Sequence, residues 1–210
     1  ILLFVFRGFF KKIFKGNSYW FFFLLVLGSF TAWSMVLHRP DGHLHLHLVR
    51  AGDESALVLR TPDGQTLVFD PGRNVNELSA AVSASLSPWA YRIDEVWLTH
   101  AAPARVLELL AERVPLGSAV LAPVVYQSGA DRVPFYAPQG IDVVKLKSND
   151  VRQYPSGVEV RIVAGSPSAT ALLITYGQVK VLIPGGVDYA LIKETAPDAL
   201  RGLSAHGFHR

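Results

Sequence analysis

The chain has no cysteine. Disulfides, thiolate zinc sites and cysteine nucleophiles are therefore excluded, while the compartment stays open. There is no glycine-rich phosphate loop, no Gly-x-Ser-x-Gly turn and no glycosidase-like carboxylate pair. Phosphate cradling, serine-hydrolase chemistry and glycoside hydrolysis thus lack their usual residues. No internal repeat or low-complexity tract is present. No histidine lies between His100 and His206, and no charge lies between Tyr19 and Leu37.

Half of the 210 residues are hydrophobic, enough for a sizeable core, but they are unevenly placed. Tyr19–Leu37 reads as a transmembrane helix, because at about 1.5 Å per residue it nearly matches a hydrocarbon core of about 30 Å. Tyr19, Trp20 and Trp33 sit towards its ends, where interface anchors belong. A buried core helix and a cleaved signal peptide are the competing readings. Uniform apolarity argues against the first, and length with apolar sequence ahead of the basic residues argues against the second.

Ile1–Phe6 reads as the end of a preceding membrane segment, and residues 7–18 as a basic cytoplasmic loop carrying Arg7, Lys11, Lys12 and Lys15. Residues 38 onward then lie on the opposite, extracytoplasmic side. A basic amphipathic helix over residues 1–15 would give the same orientation. The chain starts at Ile1, as a fragment or processed product would. The net charge of +3 comes from the loop: setting its four basic residues aside leaves 16 Lys and Arg against 17 Asp and Glu. Composition therefore gives no reason to expect a nucleic-acid-binding surface.

Arg39-Pro40-Asp41-Gly42 is a turn signal that ends the first helix. His43, His45 and His47 then alternate with Leu44, Leu46 and Leu48, a strand with one apolar face. Ser55–Arg60 and Gln65–Phe69 flank Thr61-Pro62-Asp63-Gly64 as a β-hairpin. Helical spacing covers Asn76–Leu86, Pro103–Arg113 and Asp188–Thr195. Strands are predicted at Ile93–Thr99, Ser118–Leu121, Ile141–Leu146, Val158–Ala164, Ala169–Tyr176 and Val179–Ile183. This order suits a layered α+β or α/β domain with helices outside a sheet sandwich.

Residues 96–105 read Val-Trp-Leu-Thr-His-Ala-Ala-Pro-Ala-Arg. They resemble the strand and loop that metallo-β-lactamase-fold hydrolases end in Thr-His-x-His-x-Asp-His. His100 matches the first histidine, and Ala102, Ala104 and Arg105 stand at the other ligand or base positions. Alanine has no lone pair to offer a metal, and a guanidinium repels a dication. The ordered set is wider. Arg39-Pro40-Asp41-Gly42, Val49-Arg50-Ala51-Gly52-Asp53, Leu67-Val68-Phe69-Asp70-Pro71-Gly72 and Val181-Leu182-Ile183-Pro184-Gly185-Gly186 follow one another behind an apolar helix. Together they resemble the C-terminal domain of the ComEC-type competence proteins, which internalise DNA across bacterial membranes. The resemblance runs from residue 19 to about residue 205.

The resemblance implies an αββα sandwich over residues 38–210, preceded by the transmembrane helix and truncated at its C-terminus. It also implies a degenerate metal site. The metal-bridging aspartate of the family falls at Gly186, the mid-domain histidine is missing, and His206 is a weak match to a terminal histidine. The remnant positions are Asp53, Asp70, His100, Arg105 and Gly186. His100, Asp70 and His206 are the remaining candidate ligands, short of a two-metal set. Plainer readings stand beside them: turn aspartates for Asp53 and Asp70, a strand-end histidine for His100, and an exposed strand face for His43, His45 and His47, two of which could still chelate a divalent ion. Arg105 could replace the metal's charge by pairing with Asp70 or another carboxylate across the pocket. Arg50, Arg60, Arg73, Arg92 and Arg105 could line a DNA path or be ordinary surface arginines.

The expectation is a non-catalytic, membrane-anchored domain that handles single-stranded DNA beside other parts of an uptake channel, without cofactor. A nuclease-type hydrolase with one zinc or manganese is the second reading. A membrane-tethered protein-interaction module is the third.

Overall fold

The computed structural model describes residues 18–37, 41–51, 54–72, 74–85, 92–100, 104–126 and 140–201. The chain divides into two compact units between Arg39 and Pro40. In the first, Ser18–Leu37 forms helix α1. No charge interrupts it, and Thr31 satisfies its hydroxyl locally by donating to the Gly28 carbonyl at 2.9 Å. Its described large side chains, among them Trp20, Phe23, Phe30 and Trp33, are exposed.

The expectation of a membrane span is corrected for the described residues: none of their helices is long and apolar enough to cross a membrane.

In the second unit, β1 (His45–Ala51), β2 (Glu54–Arg60) and β3 (Thr66–Phe69) pair antiparallel. The turn between β2 and β3 closes on Thr61, whose N–H donates to the Gln65 carbonyl at 2.9 Å. Helix α2 (Val75–Ser85) follows, with Asn74 Oδ1 accepting from the Asn76 N–H at 3.1 Å as an N-terminal cap. Then come β4 (Ile93–Leu98), α3 (Ala104–Ala111), β5 (Leu116–Leu121), the short helix α4 (Pro123–Tyr126) and β6 (Asp142–Lys145). β3 to β6 are parallel neighbours, so the first sheet has the order β1-β2-β3-β4-β5-β6.

β7 (Val151–Gln153), β8 (Glu159–Gly165), β9 (Thr170–Tyr176) and β10 (Val179–Ile183) form a second, antiparallel sheet in the order β10-β9-β8-β7. α5 (Tyr189–Thr195), capped by Asp188, and α6 (Pro197–Leu200) complete the described chain.

Side-chain alternation turns these strands into layers. Val58, Val68, Val96 and Leu121 point from the first sheet to Leu78, Val82, Leu107 and Leu110 on α2 and α3. Their sequence neighbours Leu59, Leu67, Trp97 and Val120 point the other way, to Val160, Leu172 and Ile174 of the second sheet. The far face of that sheet packs Ala164 and Ala171 against Ile192. Three cores therefore separate four layers, helix–sheet–sheet–helix, an αββα sandwich. Phe69 and Trp97 are fully buried between the sheets with ring centroids 5.5 Å apart, and each such side chain contributes roughly 2–3 kcal/mol by burial.

Two features depart from the sequence reading. The apolar face of β1 is not covered, and Leu48 is 76 % exposed. β1 is an edge strand, and a cleft opens in front of it. The sequence pattern also misses β7, α4 and α6.

Candidate functional site

The site begins where β3 ends. Parallel pairing sets Phe69 beside Trp97, so the next residue, Asp70, reaches the end of β4. The Asp70 N–H donates to the Trp97 carbonyl at 2.9 Å. Its carboxylate accepts from the Thr99 N–H at 2.9 Å and from the Thr99 hydroxyl at 2.6 Å. Asp70 adopts φ 47°, a left-handed backbone that costs a non-glycine residue on the order of 1 kcal/mol. The two bonds to Thr99, which is fully buried, offset that cost.

His100 follows directly, with Nδ1 at 3.4 Å from Asp70 Oδ1 and 3.5 Å from Thr99 Oγ1. The same residues join the two sheets. His100 bridges to Ala169, and the Thr170 N–H donates to the Thr99 carbonyl at 2.8 Å. Gly185 packs into this junction. A Cβ there would lie 2.3 Å from the Thr170 carbonyl oxygen and 2.5 Å from Thr99 Oγ1, at a backbone φ of 56° that already favours glycine.

Gly186 is next, with φ 92°. A Cβ on it would meet only Ala169 Cβ, at 3.5 Å. Space thus exists where a side chain could stand, and the glycine leaves it empty of donors.

A cleft of about 590 Å³ opens over these groups. Asp70, His100, Gly185 and Gly186 form its polar end, and Leu48, Leu57, Phe69, Val181 and Ile183 form much of its apolar wall. Asp70, His100 and Gly186, remote in sequence, are therefore brought to one place. Asp53 and His206 lie outside the described residues, as does the Ala102 position. Arg105 belongs to α3, but its side chain lies outside the described residues, and so does any pairing with Asp70.

A catalytic zinc takes about three protein ligands and an open position. Among the described residues no group of three or more histidine or carboxylate side chains could hold a metal. The cleft supplies His100 and Asp70, and both carboxylate oxygens of Asp70 already accept from Thr99. Among the described residues this donor set falls short of a zinc or manganese centre.

A second polar cluster was not anticipated from the sequence. Glu95 on β4 is buried between the sheets. Arg152 on β7 donates to it through Nε, at 2.9 Å from Oε1, and through Nη2. The Tyr154 hydroxyl and Trp97 Nε1 donate to Glu95 Oε2, the latter at 3.1 Å. Burial, then the Glu95 charge, pushes the Tyr154 phenol far above its ordinary value. Hydrogen bonding to Glu95 raises Arg152 likewise. The only sequence signal was a carboxylate inside the run Ile93–Leu98, and its partners lie far along the chain.

No family profile and no curated protein matches the chain. Several solved structures are similar. A peroxy-diiron form of the chemotaxis sensor ODP is 15% identical with a TM-score of 0.44, covering 60% of this chain and 53% of its own, so the chain spans about half of that protein. A metallo-β-lactamase with a HARLDQ motif from Cronobacter sakazakii is 12% identical with a TM-score of 0.44, covering 80% and 71%. A metal-soaked flavodiiron core from Synechocystis is 15% identical with a TM-score of 0.39, covering 65% and 41%. The metals and activities in those descriptions belong to those proteins.

Proposed function

We propose that this chain is a non-catalytic, metallo-β-lactamase-like domain of the ComEC type, kept as a scaffold for DNA handling at a bacterial membrane. One observation carries the reading. Among the described residues, the cleft where a metal would sit presents Asp70 bonded to Thr99, one histidine, His100, and glycine at 186. The αββα layering and the ordered motifs support the fold. Membrane association is supported by the uncharged α1 with exposed aromatic side chains, and by the basic stretch before it.

The partner in this reading is single-stranded DNA, together with other parts of an uptake channel. Arg50, Arg60 and Arg92 are at least partly exposed among the described residues. Each phosphate they neutralise would steepen the salt dependence of binding by roughly 0.7 in the log–log slope.

The test uses the purified full chain. With zinc or manganese added, single-stranded DNA should stay intact, no metal should be retained through His100, and binding of the DNA should weaken as salt rises. The competing hydrolase reading has one observation in its favour: Asp70 and His100 do share the cleft. DNA hydrolysis abolished by His100→Ala would establish that reading in place of ours. Absence of both binding and hydrolysis would leave a protein-interaction module.

A further inference from the structure

The histidine strand lies apart from the cleft residues that the proposed function uses. His45 and His47 lie two apart on β1, so their side chains leave the same face. Their rings are nearly parallel, with an interplanar angle of 12° and centroids 6.5 Å apart. β1 is an edge strand, and the His47 side chain is exposed.

Asp41 completes the arrangement. Its Oδ2 lies 2.7 Å from His45 Nε2. The His43 N–H donates to Asp41 Oδ1 at 3.0 Å and holds the carboxylate in place. An ionised carboxylate only accepts, so the contact puts the imidazole proton on Nε2 of His45. In the neutral ring, Nδ1 then carries the lone pair. A carboxylate bonded behind an imidazole in this way fixes the tautomer and orients the ring as a ligand.

We infer that His45 and His47, with Asp41 orienting His45, form a surface chelate for a divalent late-transition cation. A metal–nitrogen distance of about 2.0 Å would bring two imidazole centroids on one ion to roughly 4.5–6 Å. The rings, 6.5 Å apart, lie about 0.5 Å beyond that range, a gap that side chains close by rotating about χ1 and χ2. Imidazole donors suit copper, nickel and zinc, and copper binds most tightly of the divalent series. With two protein ligands, the remaining positions stay with water, so the site is weaker than a closed structural centre.

The experiment is titration of Cu²⁺ alone into the full chain in detergent, followed by calorimetry and by electron paramagnetic resonance. Far-UV circular dichroism checks that each variant is folded. One copper per chain is expected, with splitting from two imidazole nitrogens. His45→Ala and His47→Ala should each lower the affinity at least tenfold and remove one nitrogen from the spectrum. Asp41→Asn should weaken binding several-fold while keeping both nitrogens. Two-nitrogen binding that persists in the His45→Ala/His47→Ala double variant would overturn the inference. So would loss of that signal in His100→Ala together with its retention in His45→Ala.

Discussion

Two buried carboxylates sit within a few residues of each other in space and do opposite work. Glu95 lies mid-strand between the sheets and is met by a guanidinium, a phenol and an indole, two of them from the opposite sheet. Asp70 lies at a strand end under the cleft and is met chiefly by the next strand's Thr99. Glu95 joins layers across long sequence separation, while Asp70 shapes a turn. The difference teaches what each place asks of a carboxylate: among the described residues, the one that faces the cleft is held by its own scaffold rather than by a cation.

The largest effect should come from orphaning Glu95. Arg152→Leu leaves a buried carboxylate without its cation, and breaking such a pair costs roughly 3–5 kcal/mol. Arg152 is 34% exposed, which draws the expected loss to about 3–4 kcal/mol. Urea unfolding of the variant checks it. The double variant Glu95→Leu/Arg152→Leu should recover most of the loss, since an apolar pair can replace a buried ion pair. A double variant as unstable as the single one would mean that the pair holds the sheets in register.

The cleft side of the comparison is probed first by Gly185→Ala. The added methyl would meet the Thr170 carbonyl and the Thr99 hydroxyl, well inside contact distance, at a positive φ. We expect a loss of about 3 kcal/mol, with the Thr99–Asp70 contact disturbed. Gly186→Ala, where only ordinary contact awaits, should cost about 1 kcal/mol through its backbone alone. Equal losses at the two glycines would break the assignment of Gly185 to the junction.

Asp70→Ala should cost about 2 kcal/mol by leaving the Thr99 N–H and hydroxyl without an acceptor in a buried place. The partial rescue expected of Asp70→Asn, which keeps one acceptor oxygen, separates hydrogen bonding from charge. If both variants unfold at the wild-type urea midpoint, Asp70 is not the scaffold of the turn.

What could be read from the chain follows the range of the forces involved. The hairpin of β2 and β3 and the strand Val179–Ile183 announce themselves by alternation and turn residues. Asp188 marks the start of α5 as a cap. Asp70, His100 and Gly186 could be named as one site only through the ordered motifs. Their joining depends on the β3–β4 register and on the bridge from His100 to Ala169. β7 escapes because its residues, Val151-Arg152-Gln153, are few and mostly polar, and pairing with β8 makes them a strand. Leu48 misleads for a related reason: alternation says which residues share a face, not whether anything covers that face.

A similarly small effect at neutral pH belongs to Tyr154, and it sharpens the comparison by pH. Its phenol donates to Glu95 while buried, so ionisation is opposed first by desolvation and then by the carboxylate's charge. The folded value is raised above the unfolded value of about 10. Between the two, the unfolded state has lost a proton that the folded state keeps. Stability from this group is therefore intact below about pH 10 and falls as pH rises beyond it. Near pH 7, Tyr154→Phe should cost about 1 kcal/mol for the lost hydrogen bond. In alkaline titration followed by ultraviolet absorbance, at least one of the 7 tyrosines should ionise only as the chain unfolds. That step should vanish in Tyr154→Phe. Asp70→Ala should retain it, because the cleft carboxylate contributes nothing to the phenol's environment. A wild-type titration in which every tyrosine ionises before unfolding would place Tyr154 in solvent and remove it from the clip between the sheets.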